Sequence, residues 1–230
     1  MSPKQQVFLL TAIFSVIGIS VSIAIIANGG GFSGPAPSIF SPPSTSDLWK
    51  VGEKINEGTV LNYSLMSMAP HTSLINAKIL LNFTKAVNDY WEVNFRVYNK
   101  TIVKNGVVFL SKDHLLPKES IQEQFRPYFE PIESSIFAVR DIAREPKYLV
   151  NGAIWDTISV GVQSIPIKIT GKEMIETKGG IFDSFILSYK IGSKTSKIWI
   201  THSSPLPVKA EVYDSDDKIE YKFELTKINI

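Results

Sequence analysis

Residues 219–227 read IEYKFELTK, and this stretch decides the fold class of the chain. From 219 to 226 its odd positions are apolar and its even positions are charged or polar, so an extended strand here has one apolar face. Strict alternation with period two is typical of antiparallel strands with one buried face. The same alternation in WEVNFRVY at 91–98 and ILLNFT at 79–84 predicts that strands dominate residues 48–230.

Short turn signals separate the alternating stretches. GG at 179–180, GS at 192–193 and DSDD at 214–217 each lie between two such stretches, which predicts consecutive hairpins and therefore a meander. NG at 105–106 is the strongest short hairpin signal. We therefore expect a further turn there.

Residues 117–144 break the alternation. Their apolar positions recur with a period near 3.6, which is typical of a helix, and Pro127 and Pro131 interrupt the pattern. We expect two helices in this insert. The predicted fold is α+β: a strongly curved antiparallel sheet, or half-barrel, with the helices covering its concave face.

The N-terminal part of the chain has a different composition. Residues 7–27 carry no charge, and a helix of that length spans about 32 Å, close to the hydrocarbon thickness of a bilayer. We expect a transmembrane signal anchor there, after a cytoplasmic tip at 1–6. A cleaved signal peptide with SIA at 22–24 is the alternative.

The segment at 28–47 is rich in Gly, Pro and Ser and is expected to be a linker. Lys4 precedes the apolar segment, and no charge follows it before Asp47. This distribution favours a cytoplasmic N-terminus. The domain at 48–230 is then extracytoplasmic, and the chain a single-pass protein of the cell membrane.

Composition excludes several function classes. The chain has no cysteine, which excludes disulfides, thiolate zinc sites and a cysteine nucleophile. Its net charge of +2 lacks the basic excess of a nucleic-acid-binding protein. His71, His114 and His202 show no metal-binding spacing, and no nucleophile motif is present. We therefore expect no enzyme activity, no cofactor and no metal.

Three sequons mark candidate glycosylation sites. They are NYS at Asn62, NFT at Asn82 and NKT at Asn99. If the domain lies outside the cell and the host glycosylates, these asparagines are acceptors.

A family resemblance covers residues 149–228. This stretch resembles the LolA/LolB-like lipoprotein-carrier superfamily and related uncharacterised envelope proteins. The resemblance lies in NG at 151–152 before Trp155, GKE at 171–173, GIF at 180–182, WI at 199–200 and PLP at 205–207. It implies a half-open β-barrel whose concave face is capped by helices and holds acyl chains. A tethered domain cannot ferry cargo, so ligand binding is the implied role.

The leading hypothesis is a non-enzymatic, membrane-anchored domain that binds a lipid-like or other apolar ligand, such as a lipid or an isoprenoid. The alternatives are a surface module with a dry core that binds a protein, and a surface hydrolase. Inward-facing aromatic residues of the strands and aromatic residues of the helical insert are the candidate ligand-lining set. These residues are Phe83, Trp91, Phe95, Phe125, Tyr128, Phe129, Phe185, Trp199 and Phe223.

Overall fold

The computed structural model describes residues 43–230. The cytoplasmic tip at 1–6, the anchor predicted at 7–27 and most of the predicted linker lie outside the described residues. Within 43–230, neither helix has the length and apolarity that a membrane crossing requires. The unit that begins at residue 42 is compact. Its buried core residues all lie between Trp49 and Leu225, so this unit contains a complete hydrophobic core.

Ten of the twelve described strands form one antiparallel sheet. Its spatial order is β5-β4-β3-β2-β12-β11-β10-β9-β8-β7, and β1 pairs with β6 separately. The strands are β1 (Leu48–Trp49), β2 (Thr59–Met68), β3 (Ala77–Val87), β4 (Tyr90–Tyr98), β5 (Val103–Ser111), β6 (Lys147–Tyr148), β7 (Ile154–Val160), β8 (Gln163–Thr177), β9 (Gly180–Tyr189), β10 (Ser196–Ile200), β11 (Lys209–Tyr213) and β12 (Ile219–Asn229).

The sheet consists of two meanders that meet where β2 pairs with β12. Strands β2 to β5 form the first and β7 to β12 the second. The predicted turns between β8 and β9, β9 and β10, and β11 and β12 are confirmed. The alternation in β12 is also confirmed, because Tyr221, Phe223 and Leu225 are buried on the core face.

The predicted α+β fold class was wrong, because the described chain is mostly β. Its helices are α1 (Arg126–Glu133), of eight residues, and α2 (Val139–Ile142), of four, so helices do not form a layer over the sheet. The segment before α1 follows the edge of β5 instead, where the Lys118 N–H donates to the Phe109 carbonyl at 2.8 Å. Pro131 lies inside α1 rather than separating two helices.

The hairpin turn predicted at Asn105-Gly106 was also wrong. Both residues lie within β5, and the turn between β4 and β5 falls at residues 99–102. There the Asn99 carboxamide oxygen accepts hydrogen bonds from the backbone N–H groups of Thr101 and Ile102. Gly106 has a packing role, because it lies opposite Phe95 in the β4–β5 ladder.

A bulge in β8 changes which face of that strand is buried. Ile169 pairs with Leu187, but Gly171 pairs with Ile186, so one extra residue of β8 lies between the two pairs. The odd-numbered residues of β8 therefore face opposite sides of the sheet before and after the bulge. As a result, Met174 and Ile181 are exposed in the far half of the β8–β9 hairpin.

Candidate binding groove

An aromatic cluster joins β4 to α1. The Phe95 ring lies 5.7 Å from Phe125, edge to face, and 5.2 Å from Phe129, measured between ring centroids. Phe129 contacts Phe137 in turn, at 6.2 Å. Phe95, Phe129 and Phe137 are fully buried, whereas Phe125 is only partly buried. Edge-to-face contacts of this kind add to the stabilisation that burial provides.

Gly106 makes room for this cluster. A β-carbon at this position would lie 2.4 Å from a Phe95 ring carbon and 3.3 Å from one of Phe125. A glycine within a strand often marks such a close approach. Gly106 therefore lets the two rings press against the backbone of β5.

An open groove of about 620 Å³ lies beside the cluster, at the edge of the sheet. We call it the edge groove. Its walls come from the outward-facing residues of β3, β4 and β5, from the two rings and from the segment before α1. The lining residues are Leu80, Asn94, Phe95, Arg96, Asn105, Gly106, Val107, Gln122 and Phe125.

The segment before α1 closes one end of the edge groove. The Ser111 N–H donates to the Leu116 carbonyl at 2.8 Å, and Pro117 bridges to Leu110. Between this segment and β5 lies a smaller pocket of about 140 Å³, which shares Val107, Gln122 and Phe125 with the edge groove. The two spaces therefore adjoin.

A largely buried ion pair links α1 to α2 behind the aromatic cluster. Arg140 of α2 donates to the Glu133 carboxylate of α1 at 2.7 Å and to the Leu115 carbonyl at 2.8 Å. The Arg140 and Glu133 side chains are largely buried, and removing one partner of such a pair leaves an uncompensated charge. This pair fixes α1 relative to the segment that follows β5.

The edge groove has cationic and polar groups at its mouth. Arg96 is exposed to solvent, and its guanidinium lies 5.0 Å from the Tyr98 ring centroid. Asn94, Asn105 and Gln122 add amide donors and acceptors. An apolar floor with a few convergent polar groups is typical of small-molecule sites.

Two of the nine aromatic residues predicted to line a ligand site, Phe95 and Phe125, contact the edge groove. Phe83, Phe129 and Phe223 are fully buried in the core. Trp91 packs edge to face on Phe83 and lies under Lys112. Tyr128 lies under Lys104.

The other two predicted residues lie in the second meander. Phe185 packs edge to face on His202, at 5.9 Å, and lies under Lys172. Trp199 is buried, and its indole N–H donates to the Glu173 carboxylate at 2.6 Å. The ligand-lining role of the nine residues stays a prediction.

Sequence reasoning missed the outward-facing half of the edge groove. Leu80, Asn94, Arg96 and Val107 lie on the solvent-facing positions of their strands, whereas the strand residues predicted to line a ligand site were all inward-facing. The usable signal was Gly106, because a glycine within an alternating stretch indicates a close approach as well as a turn.

Histidine and carboxylate side chains were the candidates for metal binding or acid–base chemistry in residues 43–230. This part of the chain holds no group of three His, Asp or Glu side chains that is suited to a metal ion. Asp113 pairs with Lys50 at 3.0 Å rather than with its neighbour His114. A hydrogen bond from Lys50 is the main cause that lowers the pKa of Asp113.

The acidic turn between β11 and β12 has a structural role. Asp214 accepts hydrogen bonds from the backbone N–H groups of Asp216 and Lys218. Asp217 accepts from the backbone of Ser193 and Lys194, and its hydrogen bond with the Ser193 hydroxyl is the main cause that lowers its pKa. These carboxylates close two neighbouring turns.

The three sequon asparagines occupy different settings. Asn62 and Asn82 lie in β2 and β3 and are partly buried, while Asn99 lies in the β4–β5 turn. The Asn99 amide group donates to the Ser73 carbonyl at 2.9 Å. Glycosylation at all three stays a prediction.

Comparison with known proteins gave one structural neighbour. No protein-family model matches the chain. No curated protein matches it either. The crystal structure of MucB aligns with 75% of this chain at 9% identity and a TM-score of 0.36, and the alignment covers 52% of the MucB chain, about half its length. This likeness assigns neither fold nor function, so the resemblance to lipoprotein carriers stays a prediction.

Proposed function

We propose that this chain is a non-enzymatic binding domain that holds an amphipathic ligand in the edge groove. The observation that carries the proposal is the groove itself, whose volume of about 620 Å³ lies within the usual range for small-molecule sites. The ligand's hydrocarbon would lie along Leu80, Val107 and Phe125. Burial of that apolar surface supplies the binding free energy, at about 25 cal/mol per Å².

Arg96 at the groove mouth suggests an anionic head group. A guanidinium binds carboxylate and phosphate through paired hydrogen bonds. Asn105 lies opposite Arg96 in the β4–β5 ladder, and Asn94 precedes Arg96 by two residues on β4. A fatty acid is the simplest ligand that combines such a head with an acyl chain. The extracytoplasmic localisation of the domain stays a prediction from sequence.

The test measures displacement of a fluorescent fatty acid from residues 42–230. Val107→Asp places a charge in the groove wall and should weaken binding about tenfold or more. Val103→Asp is the matched control, because Val103 is also exposed on the same face of β5 but does not line the groove. Equal affinities of the two variants, or no binding by the native sequence, would refute the proposal.

Arg96→Gln tests the head-group assignment separately. This change should weaken binding of a fatty acid but leave binding of the fatty alcohol of equal length unchanged, since only the acid carries a charge. A parallel loss for both ligands would contradict an anionic head group while leaving the apolar site intact.

A second candidate function is binding of an extended peptide by strand addition. The sheet ends at β5, and the segment at 116–118 covers only the C-terminal half of that strand. Because Phe109 and Ser111 point their backbone groups outward, alternation places those of Val103, Asn105 and Val107 outward too. Val103→Pro should block strand addition without touching the groove.

A further inference from the structure

The hairpin formed by β7 and β8 extends beyond the rest of the sheet. Strand β8 pairs with β9 only from Lys168 onward, where it meets Ser188. Residues 157–166 therefore have no third strand beside them and form a two-stranded arm, which we call the hairpin arm. Ile158 packs against the core near the foot of the arm, but two strands alone are marginally stable in water, so an arm without a third strand is unusual.

The tip of the hairpin arm is apolar and exposed. The arm reads TISVGVQSIP and contains no charged residue. Val162 is fully exposed and Val160 is 40% exposed, on either side of Gly161. Gly161 has a φ of +60°, which a glycine adopts without strain, so the turn is tight and projects both valines.

The base of the hairpin arm is cationic. A pocket of about 270 Å³ lies there, bounded by Ile165 and Pro166 of the arm, and Lys168 and Lys190 line it. Its hydroxyl groups come from Thr170, Ser188, Tyr189 and Thr195, and the Thr170 and Ser188 hydroxyls are 2.8 Å apart. No carboxylate is among its lining residues.

Two acidic groups lie in the surroundings of this pocket. Asp156 is exposed on β7, at the foot of the arm, and its carboxylate accepts from the Thr157 backbone N–H. Glu220 lies close enough to Tyr189 to affect it electrostatically. Lys168 and Lys190 place two positive charges at the base of the arm, and the exposed wall of the pocket between them is mainly apolar.

We propose that the hairpin arm docks on an anionic phospholipid membrane. Val160 and Val162 enter the boundary between head groups and acyl chains, and Lys168 and Lys190 contact the lipid phosphates. Charge complementarity selects this occupant, because an uncharged apolar tip above a cationic base matches a layer of hydrocarbon under a layer of anionic phosphate. This inference is independent of the edge groove, which lies at the opposite end of the sheet order.

The test uses residues 42–230, because this unit has a complete core and lacks the apolar segment at 7–27. The chain has no cysteine, so Val162→Cys introduces a single site for an environment-sensitive dye. On vesicles of phosphatidylcholine with phosphatidylglycerol, the dye emission should shift to the blue. The same dye at Val103→Cys, on the other edge of the sheet, should show no shift.

Charge variants then separate the contribution of the apolar tip from that of the two lysines. Val160→Asp with Val162→Asp should reduce co-sedimentation with the mixed vesicles about tenfold, because the tip can no longer enter hydrocarbon. Lys168→Glu with Lys190→Glu should abolish the preference for anionic over pure phosphatidylcholine vesicles, since each lysine near such a surface contributes about fivefold. Lys100→Glu, in the β4–β5 turn, is the control for net charge.

Four outcomes overturn the proposal, provided that thermal unfolding shows every variant to be folded. One is the absence of binding to the mixed vesicles, and another is equal binding by the tip variants and the native sequence. The third is that inorganic phosphate binds at Lys168 and Lys190 while vesicles do not, which would make the pocket a site for a soluble phosphate. Capture of a protein by the arm without vesicle binding also counts against a membrane.

Discussion

Both ends of the sheet expose apolar residues, but one end forms a concave groove and the other a projecting arm. At the β5 end, the segment at 116–125 and two phenylalanine rings turn the edge into a concave groove. At the β7 end, the hairpin arm continues past its neighbour β9 and presents its valines outward. A concave apolar surface is suited to enclosing a ligand, whereas a projecting apolar surface is suited to inserting into a membrane.

The difference between the ends arises from what packs against each edge. Strand β5 follows β4 over its whole length, from Tyr98–Val103 to Tyr90–Ser111, so every residue of β5 has a paired neighbour. Strand β8 is fifteen residues long, while β9 has ten and pairs only with the part beyond Lys168. The hairpin arm is therefore unsupported because β8 is longer than its neighbour β9.

The largest expected effect is the loss of the ring at the centre of the β5 end. Phe95→Ala should lower the free energy of unfolding by about 3–5 kcal/mol, because it leaves a cavity beside the rings of Phe125 and Phe129. Phe185→Ala, in the second meander, should cost less than half as much because Phe185 is only partly buried. Urea unfolding measures both, and similar losses would contradict the difference between the two ends.

The next effect concerns two glycines, one at each end. Gly106→Ala should cost about 3 kcal/mol, because the added methyl group overlaps the Phe95 ring and both must shift. Gly161→Ala in the arm should cost about 1 kcal/mol, since its methyl group meets open space and only the positive φ is strained. A crystal structure of Gly106→Ala with an unmoved Phe95 ring would show this packing argument to be wrong.

Local periodicity was enough to predict the strands but not their partners. The alternation in β12 and the GG and DSDD turns depend on neighbouring residues, so they were predictable from sequence. The NG at 105–106 was misinterpreted because the same glycine signal serves a turn and a close packing contact. Only the position of Phe95 across the ladder distinguishes the two.

The helical insert shows a second limit of sequence reasoning. Residues 117–125 have helical spacing, but Pro117 bridges to Leu110 and the Lys118 N–H donates to the Phe109 carbonyl of β5, and this tertiary contact overrides the local preference at the start of the segment. The outward-facing half of the edge groove was missed for a related reason. Asn94 and Arg96 look like solvent-facing residues until the segment before α1 folds beside them.

Alkaline pH should weaken the β7 end through Tyr189, which lines the pocket at the base of the hairpin arm. Burial is the main cause that raises the pKa of Tyr189 from 10 to about 12, and the nearby Glu220 carboxylate adds to it. The folded state therefore prefers the neutral phenol, so its stability is complete below pH 10 and falls as the pH rises towards 12. The loss amounts to about 2–3 kcal/mol.

Tyr189→Phe tests this effect, because it removes the ionisable group and keeps the ring. The free energy of unfolding of the variant should decline less steeply between pH 10 and 12 than that of the native sequence. Burial also raises the pKa of Tyr221, so a smaller alkaline loss should remain in the variant. Parallel curves for the two proteins would exclude Tyr189 as a source of the loss.

The smallest expected effect on stability is at the tip of the hairpin arm. Val162→Asp should change the free energy of unfolding by less than about 0.5 kcal/mol, because the Val162 side chain is fully exposed and buries nothing. Val108→Asp, on the core face of β5, should instead lower it by about 3 kcal/mol, since it buries a carboxylate. Urea unfolding of the two variants gives the contrast directly. A large loss for Val162→Asp would mean that the tip packs against the domain, and the arm would then not be free to enter a membrane.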